Sequence, residues 1–305
     1  MHNKNMTHLI YVPFTGLGLY RGFRGNRWLR NRITVFKRFV VPSLLVQTTQ
    51  DFTLWVSWRR EERTNAQVIE LKNYLDEQFP GRVFFTFEGL CFWDDKYEDA
   101  IAYDRLLSAL QRSMPDLVNR TAGASEVLMT IQPSDDCYHK DAFQYIQTVF
   151  KEKQGIQAVG FTRGFIANLQ TFDIAEYNPQ TLPPFFTIRF PREIFIDPFR
   201  HAEYTGPYKS HEYVGDKLRF FELLWRGFLV GTHGENTSTV FNHPYRGEPV
   251  SKLVLNSFGI IGEPLKLELS LRKAILRRLP QPIQRKIRFM FGEKIWSKIY
   301  DYLRN

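Results

Sequence analysis

Two adjacent carboxylates, Asp135 and Asp136, stand directly behind an apolar, β-prone run at residues 126–132 that Pro133 stops. Such a run suits a strand buried between layers. Acids at the carboxyl end of a central strand lie where open α/β sheets bind ligands. Held that close, two carboxylates repel each other unless a cation bridges them. Hard divalent ions such as Mg²⁺ or Mn²⁺ take oxygen ligands and leave positions for substrate phosphate oxygens. The pair therefore reads as a metal–diphosphate site. The same acids would also start a turn and cap the helix expected at 139–147, and that use stays open at this point.

A second group with chemical potential is the Gly- and Arg-rich stretch 15–26, which carries Arg21 and Arg24 and is followed by Arg27. Arginine forks suit phosphate oxygens, so a phosphate-side loop and a merely solvated basic loop are both open readings. Gly16-x-Gly18 lacks the third glycine of a dinucleotide fingerprint, which leaves a Rossmann oxidoreductase poorly supported. His201, His211, His233 and His243 are scattered, without the close spacing of a helical zinc site.

The elements that must position these groups alternate regularly at first. Strands are expected at 8–14, 52–58, 82–87 and 126–132. Helices are expected at 28–41, ended by Pro42, at 65–79 and at 98–114, with a further one at 139–147. That rhythm implies a doubly wound, largely parallel sheet. From residue 156 the rhythm changes: a strand pair around Gly164, a strand at 185–190, a polar stretch 197–216, a short helix or turn at 217–224, and a strand at 225–230 that delivers His233. Residues 265–305 are dense in Lys and Arg interleaved with Leu, Ile, Phe and Trp296, and Pro280 and Pro282 divide them into two amphipathic helices. Such faces suit an anionic leaflet, or else a helix pair docked on the core.

Composition narrows the classes. The chain has 305 residues, 43% of them hydrophobic, enough for a sizeable core, and a formal charge of +9 that calls for an anionic partner without choosing among nucleic acid, membrane surface and nucleotide diphosphate. Only Cys91 and Cys137 are present, which argues against a disulfide framework or a cysteine-ligated zinc and fits a reducing cytoplasm. No run of apolar residues is long enough for a membrane span, and residues 9–14 are too short for a signal peptide.

Taken together, these residues resemble a GT-A-type glycosyltransferase, specifically the bacterial rhamnosyltransferase family. The likeness rests on Phe39-Val40-Val41-Pro42-Ser43-Leu44-Leu45-Val46-Gln47-Thr48-Thr49-Gln50-Asp51-Phe52-Thr53-Leu54-Trp55, on Ser134-Asp135-Asp136 in place of an Asp-x-Asp metal motif, and on His233 with Asn236 after a late strand. It covers residues 8–249. Departures are Ser134 for the first acid, Gln132 where relatives carry Arg, and Ser57-Trp58-Arg59-Arg60 where many relatives place an acidic turn for the nucleobase.

The resemblance implies a GT-A-like, Rossmann-like domain over 7–264, with a nucleotide-sugar-binding half at 7–150 and an acceptor half at 151–264, leaving 265–305 as a basic amphipathic helical tail. It implies an inverting, nucleotide-sugar-dependent transferase that moves a sugar such as rhamnose to a bacterial surface-glycan or lipid-linked acceptor. Asp135, Asp136 and His233 would hold Mg²⁺ or Mn²⁺. Arg21, Arg24, Arg27, Ser134 and Asp135 would bind the donor, and Glu212 or Asp216 would act as general base, with Glu193 and Asp197 behind them. The expected location is cytoplasmic, peripheral at the inner face of the membrane, with no nucleic acid partner. A catalytically inactive scaffold of the same fold and a basic nucleic-acid-binding protein are the competing classes.

Overall fold

The computed structural model describes residues 5–15, 25–89, 99–205, 214–233, 236 and 239–267. Strands β1 (Met6–Pro13), β2 (Thr53–Ser57), β3 (Val83–Thr86) and β4 (Glu126–Ile131) lie in the order β3-β2-β1-β4 and all run parallel. This is the doubly wound α/β class that the alternation of strands and helices implied. The intervening helices are α1 (Gly25–Val35), α2 (Val41–Leu45), α3 (Ala66–Gln78) and α4 (Asp99–Arg120), followed after β4 by β5 (Cys137–Tyr138) and α5 (Ala142–Glu152).

Side chains leave the central strands alternately to two cores. Ile10, Val12, Leu54 and Val56 pack with Leu29, Leu71, Phe143 and Ile146, on the side of α1, α3 and α5. Leu9, Tyr11, Trp55, Met129 and Ile131 pack with Leu106, Leu110 and Leu117 of α4. Burial on both faces explains why these strands read as mostly apolar runs rather than alternating ones. A short aromatic ladder crosses three of the strands. Tyr11 and Trp55 rings lie 4.3 Å apart, Trp55 and Phe84 rings 5.9 Å apart, and Trp55 Nε1 donates to Thr86 Oγ1 at 2.9 Å.

The rest of the chain extends the same sheet on the β4 side. β6 (Ala158–Asn168) and β7 (Asp173–Tyr177) form an antiparallel pair, and β8 (Phe186–Pro191) is antiparallel to both β4 and β6. Then come the short α6 (Arg192–Phe195), α7 (Pro198–Thr205) and α8 (Val214–Lys217), the long β9 (Phe220–Thr232), and β10 (Arg246–Pro249), which pairs antiparallel with β7. β9 runs parallel to β6 over its whole length, and near its end Leu229 and Phe228 pair with Cys137 and Tyr138 of β5. That last pairing brings the end of β9 to the end of β4.

Three expectations need correction. Pro42 does not end the first helix: a π-helical turn over Phe36–Val40, in which the Val41 N–H reaches back to Phe36 O, carries the chain through it into α2. The wider turn relieves the clash a proline ring makes with the preceding turn of an α-helix. Pro115 likewise lies inside α4, which continues to Arg120 because Leu117 and Thr121 are buried beyond it. β9 begins at Phe220 rather than 225, since residues 217–224 mostly extend β6 pairing and do not form a separate turn. The basic tail lies outside the described residues apart from residues 265–267. No described helix is long and apolar enough to cross a membrane.

Candidate active site

Strand order reverses between β1 and β4, where β1 leads toward β2 on one side and β4 lies on the other. The crevice at the carboxyl ends of such a pair is where doubly wound sheets take ligands. Asp135 and Asp136 occupy that position. Gln132 shapes the turn that carries them: its backbone N–H donates to Tyr11 O at 2.8 Å, and its Nε2 donates to Pro133 O and Asp136 O, both at 2.8 Å. Ser134 is buried within the same turn.

Three distant segments meet at Asp135. From α1, Arg32 forms an ion pair with Oδ2. From the end of β9, His233 Nε2 donates to the same oxygen at 3.2 Å. Asn236 Nδ2 donates to it as well, also at 3.2 Å, and holds His233 in place by accepting its backbone N–H on Oδ1 at 2.7 Å. Arg32 and His233 side chains are each 2% exposed and Asp135 15%. Asp136 points the other way, into β9, where the Gly231 N–H donates to its Oδ1 at 2.9 Å.

The two acids are driven apart in acidity. Burial alone would raise Asp135, but Arg32 and His233 outweigh it and hold its carboxyl below the usual range. Burial raises Asp136 well above that range, and the negative Asp135 beside it adds to the effect. Asp135 is thus the fixed anion of the pair. Beyond Asp136 stands an aromatic strip. The Tyr177 hydroxyl is pushed up to about 12, by burial first and by the Asp136 charge second. The His243 ring lies 5.5 Å from Tyr177 and 5.0 Å from Tyr245.

The close packing of β9 on this turn depends on one glycine. A Cβ at Gly231 would lie 2.4 Å from Asp135 O, a backbone atom that cannot swing aside. Gly231→Ala is therefore expected to push β9 off the turn, breaking the Asp136 and Asn236 bonds together. The expected cost is about 1–3 kcal/mol, the usual price of overpacking, read from the urea midpoint at constant m-value.

The sequence-predicted residues divide as follows. Ser134, Asp135, Asp136 and His233 come together. Arg27 is half-buried in the first turn of α1, the helix that supplies Arg32. Arg21, Arg24 and Glu212 lie outside the described residues. Asp216 is not brought in: it is exposed on α8, ahead of Phe220, and the registers place Phe220 level with Ala158, Ile188 and Met129. Since β9 runs parallel to β4, Asp216 falls toward the amino ends of the strands and Asp135 beyond their carboxyl ends. Of the acids behind it, Glu193 and Asp197 belong to the α6–α7 region, which follows β8 at the amino end of β4.

A divalent ion held by Asp135, Asp136 and His233 would need their lone pairs turned toward one point. Instead Oδ2 of Asp135 is already shared by Arg32, His233 and Asn236, and Oδ1 of Asp136 is taken by Gly231. Among the described residues no group of three His, Cys, Asp or Glu side chains is arranged to hold a metal. As placed, this donor set does not fit the ion: the acid expected to hold a metal is paired internally through Oδ2.

Two groups escaped the sequence reading. Arg32 lies on the apolar stripe of its helix, after Leu29 and beside Ile33, and a cation on a buried stripe signals a buried anion. Glu62 is an acid placed just past the end of β2, in the turn after Arg59. It is buried, takes the Thr15 hydroxyl on Oε2, and accepts the Arg59 N–H at 3.2 Å, at the same edge of the sheet. Burial raises its carboxyl above the usual value. Glu62 Oε1 is a buried acceptor with no hydrogen-bond partner among the described residues.

No protein-family model matches the chain, and no curated protein sequence does either. Solved structures give weak likenesses. Residues 1–349 of Staphylococcus aureus TarS share 13% identity over 74% of this chain, with a TM-score of 0.38, and the chain spans 60% of that structure. A nucleotide-diphospho-sugar transferase assigned in Desulfovibrio desulfuricans G20 shows 13% identity, 74% and 80% coverage of the two chains and a TM-score of 0.31. Mouse xyloside xylosyltransferase 1 shows 11% identity, 70% and 77% coverage and a TM-score of 0.32. Scores this low carry no functional weight.

Proposed function

We propose that the chain is a nucleotide-sugar-dependent glycosyltransferase. The observation that carries this reading is the convergence of Asp135, His233, Asn236 and Arg32 at the reversal point of the sheet. Glycosyl transfer develops positive charge on the sugar while negative charge grows on the departing diphosphate, and fixed polar groups aimed at that charge supply the largest catalytic gain. The first turn of α1 carries no acid and holds Arg27, which suits phosphate oxygens. Every described bond to Asp135 ends on Oδ2, so Oδ1 is the oxygen that would accept a donor hydroxyl.

The nucleoside half of the donor belongs beside Thr15, Arg59 and Glu62, where a base N–H would satisfy Glu62 Oε1. The acceptor belongs on the other side of Asp136, against Tyr177, His243 and Tyr245, since aromatic faces with polar edges suit sugar rings. A glycan or lipid-linked sugar fits that strip, and residues 151–264 are accordingly the acceptor half.

Calorimetry with UDP-, GDP- and dTDP-sugars tests the reading. One nucleotide class is expected to bind, with at least a tenfold loss in Asp135→Asn protein whose circular dichroism is unchanged. Silence across the whole panel with folded wild-type protein would refute it.

A further inference from the structure

We infer that Arg32 occupies the place of a divalent cation in this site, so that the chain binds its nucleotide without metal. The fixed positive charge comes from the fold. Arg32 projects from a helix whose neighbouring positions, Leu29, Ile33 and Phe36, are buried in the core, and its guanidinium also lies 5.6 Å over the Trp28 ring. A guanidinium 2% exposed persists only where an anion pairs with it, and here that anion is Asp135.

At Oδ2 a metal ion and this guanidinium would compete for one carboxylate oxygen, and at Oδ1 of the same carboxylate the ion would sit against the guanidinium's positive charge. The competition at Oδ2 is lopsided, because His233 and Asn236 donate to that oxygen and would both have to turn away. The second acid gives no easy alternative: Asp136 is anchored through Oδ1 to the backbone of β9, and Gly231 allows that strand to sit hard against the turn. An ion held through the two bonded oxygens, Oδ2 of Asp135 and Oδ1 of Asp136, would have to break contacts from α1, β9 and residue 236 at once. Arginine does part of the electrostatic work of a cation toward phosphate, as a planar donor fork with no coordination sphere to fill.

The first test needs no variant and does not depend on the donor reading. Mn²⁺ alone is titrated into the wild-type chain while the electron paramagnetic resonance signal of the free aquo ion is followed. The expected result is the buffer signal, with no site tighter than millimolar. One Mn²⁺ bound per chain, and lost in Asp135→Asn, would overturn the inference.

Removing the guanidinium should free the carboxylate. Folded Arg32→Gln protein is expected to bind Mn²⁺ at least tenfold more tightly than wild type, and a folded variant with no gain also counts against the inference. Arg32→Lys, which keeps the charge, is expected to remain metal-free. The last arm rests on the proposed function: UDP, GDP and dTDP are titrated in EDTA and then in Mn²⁺. Affinities within about twofold agree with an arginine in the cation's place, and a tenfold gain with Mn²⁺ contradicts it. If none of the three nucleotides binds under either condition, the donor reading fails and the Mn²⁺ titration alone decides the role of Arg32.

Discussion

Arg32→Met is expected to be among the most destabilising single substitutions in this chain, costing about 3–5 kcal/mol at neutral pH, the range for removing one partner of a buried ion pair. The cause is what stays behind. Asp135 would remain nearly buried with only His233 and Asn236 against its charge. Methionine fills the stem volume of arginine, so most of the loss would be electrostatic. Two features separate this from a packing defect. Replacing Asp135 by Asn in the same chain should recover a large part of the loss, as a double-mutant cycle would show. The penalty should also shrink on acidification, because without Arg32 the Asp135 carboxyl loses the charge that holds its proton affinity down. Urea unfolding of the four chains of the cycle at pH 7 and pH 5 measures both effects. A loss unchanged by pH and untouched by Asp135→Asn would assign Arg32 a packing role only.

The second large effect concerns acid. His8 on β1 is fully enclosed, with Nε2 2.7 Å from the Thr130 hydroxyl and Nδ1 3.1 Å from Gln147 Nε2. Burial lowers its pKa to about 3. His201 on α7 is as deeply buried, with Nδ1 2.8 Å from Phe195 O, and burial lowers its pKa to about 4. Both depressions have the same sign. The folded state binds fewer protons than the unfolded chain once the pH falls below the ordinary histidine value near 6.5. The stability they contribute is complete above that pH and drains away as the pH drops toward 4 and 3. Asp136, whose carboxyl is raised, works in the opposite direction and relieves part of the strain on acidification. The expected net result is a fall in unfolding free energy from pH 6.5 to 4.5, with about 2–3 kcal/mol from each histidine before the Asp136 offset. His8→Gln cannot titrate and should flatten the slope by about one histidine's share. A wild-type profile flat across that interval would mean that these rings reach solvent.

The parallel half of the fold was legible in the sequence because its strands are buried on both faces and are mostly apolar. Residues 8–14, 52–58 and 82–87 stand close to β1, β2 and β3 as observed. The later strands were harder, since β9 mixes buried Leu223 with exposed Glu222 and Leu224, and its partner β6 lies far back along the chain. The acid pair and His233 stood out by residue type, and they do come together, but the manner of their meeting was not legible. Arg32 reads locally as one more cation on a basic helix, and only its position on the apolar stripe hints that it faces an acid. Glu62 was hidden behind Arg59 and Arg60, because a three-residue turn, Arg60–Glu62, folds its side chain back to the end of β1. Asp216 was a candidate base only as a carboxylate in a polar stretch, and the full length of β9 separates it from His233.

The partners of the two acids come from far away in the chain: the His233 and Gly231 contacts span 98 and 95 residues. Closing loops of that length is entropically costly and is repaid only when the intervening elements have already packed. The arrangement consequently has no local precursor. A peptide containing the acids and the helix after them would hold neither the guanidinium nor the imidazole, and would be a flexible, doubly negative turn. Transplanting the chemistry to another scaffold would mean moving the long strand and the first helix along with it.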